Sequence, residues 1–118
     1  MWLITPIGFF SVVQKPADKK TGVLTIRARV RGDLDALREK YLPSLGPIED
    51  GVGTDYRYRA IAPQAETSTA VARMIADIDC GNFKNEVAKS QGHNRSDVYH
   101  DVWTVLNRLQ TDPMFADD

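Results

Sequence analysis

Leu24-Thr25-Ile26-Arg27-Ala28-Arg29-Val30-Arg31 alternates apolar and polar residues without a break. A period of two puts Leu24, Ile26, Ala28 and Val30 on one side of an extended chain and Thr25, Arg27, Arg29 and Arg31 on the other. That is the pattern of a strand in a sheet with one buried face and one wet face. Toward the N-terminus, residues 8–15 (GFFSVVQK) are rich in aromatic and β-branched types and predict a second strand. The polar stretch from Pro16 to Gly22 between them reads as a turn, so the two strands should pair as a hairpin. Trp2-Leu3-Ile4 predicts a short strand that stops at Pro6.

Toward the C-terminus, Asp33 is placed to cap a helix running to about Leu42, with Leu34, Leu37 and Tyr41 on one side. Pro43, Gly46 and Pro47 end it, and residues 45–54 read as a loop. Gly51-Val52-Gly53 precedes a strand instead of following one, so it reads as a turn and not as a phosphate loop. Residues 55–61 (DYRYRAI) predict a further strand, with Tyr56, Tyr58 and Ala60 inward and Arg57 and Arg59 outward. From Pro63 the period becomes helical. Ala70, Val71, Met74, Ile75 and Ile78 form a stripe that Gly81 ends, and a short helix from Asn82 to Ser90 follows. After Gly92 a last helix, from Ser96 to Gln110, presents Tyr99, Val102, Leu106 and Leu109 as an inner stripe, with Trp103 also read as core.

The fold class is therefore α+β. An antiparallel hairpin, a crossover helix and a further strand form one sheet, and C-terminal helices pack on one face. The element order is that of ferredoxin-like folds, with the strand order left open. Residues 1–111 read as a single domain and residues 112–118 as a frayed acidic tail.

Composition agrees with a small globular chain. The 118 residues are 42% hydrophobic and 26% charged. The net charge of -1 provides no overall attraction to nucleic acid or to an anionic membrane. Residues 1–61 are basic, with 10 Lys and Arg against 7 acids, and residues 62–118 are acidic, with 5 against 9. Cys80 is the only cysteine, which excludes an intramolecular disulfide. The apolar start lacks a basic n-region and is too short to span a bilayer, so the expected location is the cytoplasm, without membrane association.

Met1-Trp2-Leu3-Ile4-Thr5, Gly8-Phe9-Phe10-Ser11-Val12-Val13 and Asn82-Phe83-Lys84-Asn85 resemble a group of short bacterial single-domain proteins of unknown function. The resemblance covers most of the chain and implies a bacterial or phage source. It brings no activity with it.

The first candidate site is the wet sheet face. Arg27, Arg29 and Arg31 from one strand and Arg57 and Arg59 from another would share it. Guanidinium groups match phosphate and carboxylate oxygens with paired hydrogen bonds. Such a face suits nucleic acid, a nucleotide or an acidic protein surface, although it is expected to lack stacking aromatics. The plain alternative is a solvated face whose arginines pair with local acids. Secondary candidates are Asn82, Lys84, Arg95 and His100. His93 and His100 lie seven apart, but Gly92 and Asn94 place His93 before the helix, and no recognised zinc spacing is present.

The leading expectation is a non-enzymatic binding or regulatory module without a cofactor or metal. A second reading is a protein–protein inhibitor or adaptor, such as a phage-encoded blocker of a bacterial defence complex. A third is a small enzyme using Cys80 or His100 beside Lys84 and Arg95. An uncovered edge strand also makes a homodimer a natural expectation.

Overall fold

The computed structural model describes residues 1–115. The chain divides into two compact units, Met1–Asp79 and the residues from Cys80 onward. The first is the α+β arrangement the alternation predicts. Five strands, β1 (Trp2–Thr5), β2 (Gly8–Val13), β3 (Val23–Ala28), β4 (Glu49–Asp50) and β5 (Tyr58–Pro63), form one antiparallel sheet in the order β1-β2-β3-β5-β4. Helix α2 (Arg31–Lys40) lies between β3 and β5 in sequence, yet those strands are direct neighbours. The intervening strand of a split βαβ unit is absent, so the ferredoxin-like element order does not extend to the strand order.

Parity sorts the side chains. Leu3, Phe10, Val12, Leu24, Ile26, Ala28, Tyr58, Ala60 and Ala62 face the helices. Against them pack Leu34 and Leu37 of α2 and Ala70 and Met74 of α3 (Gln64–Ala76). Phe10, Ile26 and Leu34 are essentially fully buried. Both helices cover the same side, because Leu37, Ala70 and Met74 line one small apolar gap with Phe10 and Ile26.

Four local details differ from the sequence expectations. Residues 16–21 form a short helix, α1 (Pro16–Thr21), and not only a turn. Pro16 suits a first helical turn, and the Asp18 carboxylate accepts the Lys15 amide at 2.9 Å and the Thr25 hydroxyl at 2.8 Å, tying the turn to β3. Asp33 does not cap α2, which starts two residues earlier with Val30 at its cap. Its carboxylate, 3% exposed, instead accepts the Phe9 amide at 3.1 Å and fastens the helix to β2. Glu49 and Asp50 inside the expected loop pair with β5, and β5 itself begins only at Tyr58.

The second unit is a helical hairpin of α4 (Phe83–Gln91) and α5 (His93–Leu106), followed by α6 (Arg108–Thr111). Asn82 caps α4 by accepting the Asn85 amide at 3.1 Å. Gly92, with φ of 93°, takes the left-handed backbone that lets the chain reverse. His93 opens α5, which corrects the expectation that it precedes the helix. Phe83 stacks on Tyr99 with ring centroids 6.0 Å apart, and Ser96 donates to the Lys84 carbonyl. The predicted inner stripe of α5 is only partly right. Tyr99 is buried, but Trp103, Leu106 and Leu109 are each more than half exposed. Of the tail, Pro113–Phe115 forms a 3-10 turn, and residues 116–118 lie outside the described residues. Among the described residues no helix is long and apolar enough to cross a membrane.

Candidate functional site on the outer sheet face

The ladder registers line up one row across all five strands, Trp2, Ser11, Arg27, Arg59 and Glu49. Residues opposite one another in antiparallel strands share a face, so this row lies on the side away from α2 and α3. Arg27 and Arg59 are thus direct cross-strand neighbours. Like charges in that position repel. Among the described residues Arg27, Arg29 and Arg59 make no ion pair. Glu49 ends the row directly opposite Arg59, without closing to ion-pair distance.

The five arginines of the sequence reading separate. Arg27 reaches Ser11 Oγ at 2.9 Å, and its Cζ sits 4.5 Å from the centroid of Tyr56. Arg29 also lies over Tyr56, at 4.4 Å, and donates to the Asp55 carbonyl. Arg59 donates to Thr54 Oγ1 at 3.1 Å and to the Tyr56 carbonyl at 3.0 Å. Arg27 and Arg29 thus share the Tyr56 ring, and Arg59 holds the backbone carbonyl of the same residue. Arg57 leaves them: it precedes β5, makes a bidentate pair with Asp50 at 2.9 and 3.2 Å, and lies over Tyr58 instead. Arg31 is on α2, 3.9 Å from Asp35.

Tyr56 reverses its expected side for a local reason. It sits before the strand, where residues 51–57 fold back on themselves. Gly51 and Arg57 close the loop by an amide-to-carbonyl bond of 2.6 Å, and Thr54 Oγ1 lies 2.6 Å from the Gly51 carbonyl and 2.8 Å from that of Tyr56. The ring, 4% exposed, therefore lands on the outer face beside Phe9, with centroids 6.4 Å apart. Phe9 in turn meets Trp2 edge-on at 5.6 Å. The outer face thus carries three aromatic rings as well as three guanidinium groups, which overturns the expectation that it lacks aromatics.

Comparison of the chain with protein-family profiles, with curated proteins and with solved structures finds no match.

A guanidinium has five N–H donors. Arg27 and Arg29 each spend one guanidinium nitrogen on a neighbour, and Arg59 uses Nη2 alone. The Nε atoms of Arg27 and Arg59 are buried without a hydrogen-bond partner. Trp2 is 67% exposed at the end of the row. Trp2 and Phe9 were within reach of sequence reasoning, because residues 2, 9 and 11 share a parity once β1 and β2 pair. No sequence signal marked Tyr56.

The secondary candidates serve local structure. Asn82 is a helix cap. Arg95 donates to the Tyr99 hydroxyl at 3.2 Å. Lys84 Nζ lies 3.0 Å from His100 Nδ1 and over the Trp103 ring, on which His100 stacks at 5.7 Å. Cys80 is half-buried. No three His, Cys, Asp or Glu side chains among the described residues are placed to hold a metal.

The Asp50–Arg57 pair sets a small pH response. Hydrogen bonding from Arg57 holds the Asp50 carboxyl below its ordinary range, and the Arg57 charge adds to this. A carboxyl with a depressed folded-state pKa contributes stability above its unfolded pKa and loses it as pH falls through the folded value. Arg57→Ala should return Asp50 to the ordinary carboxylate range and remove that acid-side slope, read by following the Asp50 carboxyl carbon in an NMR pH titration. Because the pair is solvated, the stability of the sheet at neutral pH should barely change.

Proposed function

We propose that the chain is a non-enzymatic module that binds single-stranded nucleic acid on the outer face of its sheet. The observation that carries this reading is the cross-strand Arg27–Arg59 pair, neither member of which makes an ion pair among the described residues, on the face that also carries Trp2 and Phe9. Two opposed guanidinium groups, neither closed into an ion pair, repel one another, and a phosphate bound by both would offset that repulsion. Phe9 and exposed Trp2 on the same face suit the bases. Base stacking on an aromatic ring is worth about 1–3 kcal/mol per base and tolerates any sequence. An isolated phosphate or an acidic protein surface would engage the arginines but leave the rings unused.

Fluorescence anisotropy with a labelled oligothymidylate tests the reading. Arg27→Glu should lower affinity by tenfold or more, and the loss of one phosphate contact should reduce the slope of log affinity against log salt by about 0.7. Glu49→Gln should raise affinity by removing the acid at the end of the row. Wild-type protein that fails to bind the oligomer at low salt, or Arg27→Glu that binds as well as wild type, would sink the reading.

A further inference from the structure

The second unit leaves an apolar stripe uncovered. Val98 is 56% exposed, Val105 60% and Leu109 55%, with Val102 half-buried between them. These four positions are spaced four, three and four residues apart. That is the alternation of core positions in a coiled-coil seam. The helical path continues through the seam, since Asn107 keeps α-helical backbone angles between α5 and α6. The stripe looks away from α4. The α5 residues that meet α4 are Ser96, Tyr99, His100 and Trp103, which lie on the opposite side of a helix with 100° per residue.

The hairpin is also short of core. Its buried apolar side chains are Val87 and Tyr99 alone among the described residues. Chains of roughly 40 residues or fewer need a metal, a disulfide or another subunit to fold stably. The single cysteine excludes an internal bridge.

We infer that a second copy of this chain covers the stripe, with the two α5 helices packed antiparallel. The charges beside the seam select that occupant and that direction. In the antiparallel arrangement Val98 layers on Leu109 of the partner subunit, and Val102 on Val105 of the partner subunit. This register brings Asp101 next to Arg108 of the partner subunit, and the two-fold repeats the pair. Both side chains are exposed on the same flank of the stripe. Among the described residues Arg108 makes one ion pair, with Asp112 at 3.5 Å. Like charges would not meet across the seam.

Sedimentation of the full chain tests this. Wild-type protein should be dimeric in the micromolar range, and Val105→Glu, whose side chain is solvent-exposed in the hairpin itself, should be monomeric with its helix content retained. Asp101→Arg and Arg108→Asp should each weaken the dimer several-fold, and the two together should restore it. Monomeric wild-type protein at about 0.1 mM, or a double variant no tighter than either single one, overturns the inference. A stripe occupied by another protein would show as the first of these outcomes. Oligonucleotide binding is not needed for the experiment, and the result is independent of the sheet-face reading.

Discussion

Gly8→Ala is expected to be among the most damaging single substitutions in the first unit, at about 3 kcal/mol. A β-carbon at Gly8 would lie 2.5 Å from Asp33 Cγ and 2.6 Å from Asp33 Cβ. Those atoms belong to a buried side chain that is already committed, since the Asp33 carboxylate accepts the Phe9 amide at 3.1 Å. The methyl group can be admitted in two ways. Either the start of α2 lifts off β2 and opens the core at Leu34, or Asp33 swings aside and strands the Phe9 amide. Overpacking costs roughly 1–3 kcal/mol, and losing a hydrogen bond to a charged group costs a similar amount. For a unit of this size the midpoint should fall by about 15 °C, read by thermal unfolding with circular dichroism. Gly32→Ala is the control: nothing lies within 4 Å of its added carbon, and it sits inside α2, so it should be neutral or stabilising. A Gly8→Ala protein as stable as the Gly32→Ala one would show that the Asp33 contact is dispensable.

Tyr56→Ala should cost a comparable amount, again about 3 kcal/mol, although the ring is not in the helix-side core. The ring is buried because the loop of residues 51–57 presses it onto the sheet, and Arg29 and Arg59 hold that loop by its carbonyls. Removing it deletes the contact with Phe9 and the surface on which Arg27 and Arg29 lie. The guanidinium groups should then lose their ring-current shifts in NMR spectra, and the loop should exchange its amides faster. Tyr56→Phe keeps the ring and should behave like wild type in both. If Arg27 and Arg29 keep their shifts in Tyr56→Ala, the ring is not what positions them. Oligothymidylate affinity should also fall in Tyr56→Ala, because Arg27 and Arg29 would lose the ring on which they lie.

The strand pairing was legible because it depends on short-range pattern. Residues 24–28 alternate, residues 8–13 are rich in β-branched and aromatic types, and the seven residues from Pro16 to Gly22 read as a turn, which leaves a hairpin as the simple connection. Helices α2, α3, α4 and α5 were likewise legible from their 3.6-residue stripes, whereas α1 reads as a turn in the sequence. Misreadings occurred where a polar side chain had a distant partner. Asp33 looks like a cap, and its carboxylate is spent 24 residues away on Phe9. The exposed stripe of α5 had the periodicity of a core face, and periodicity does not distinguish a face buried in its own unit from one left to solvent.

The candidate site divides in the same way. That Arg27 and Arg59 are outward-facing residues on strands follows from alternation alone, because a half-buried strand must send every second side chain to the wet side. That they are direct neighbours follows only from the pairing of β3 with β5, a contact across more than 30 residues that no local pattern encodes. The placement of Tyr56 and the departure of Arg57 were also tertiary outcomes. Both residues precede the strand, where the hydrogen bonds of a folded loop, and not the pleat, decide which way a side chain points.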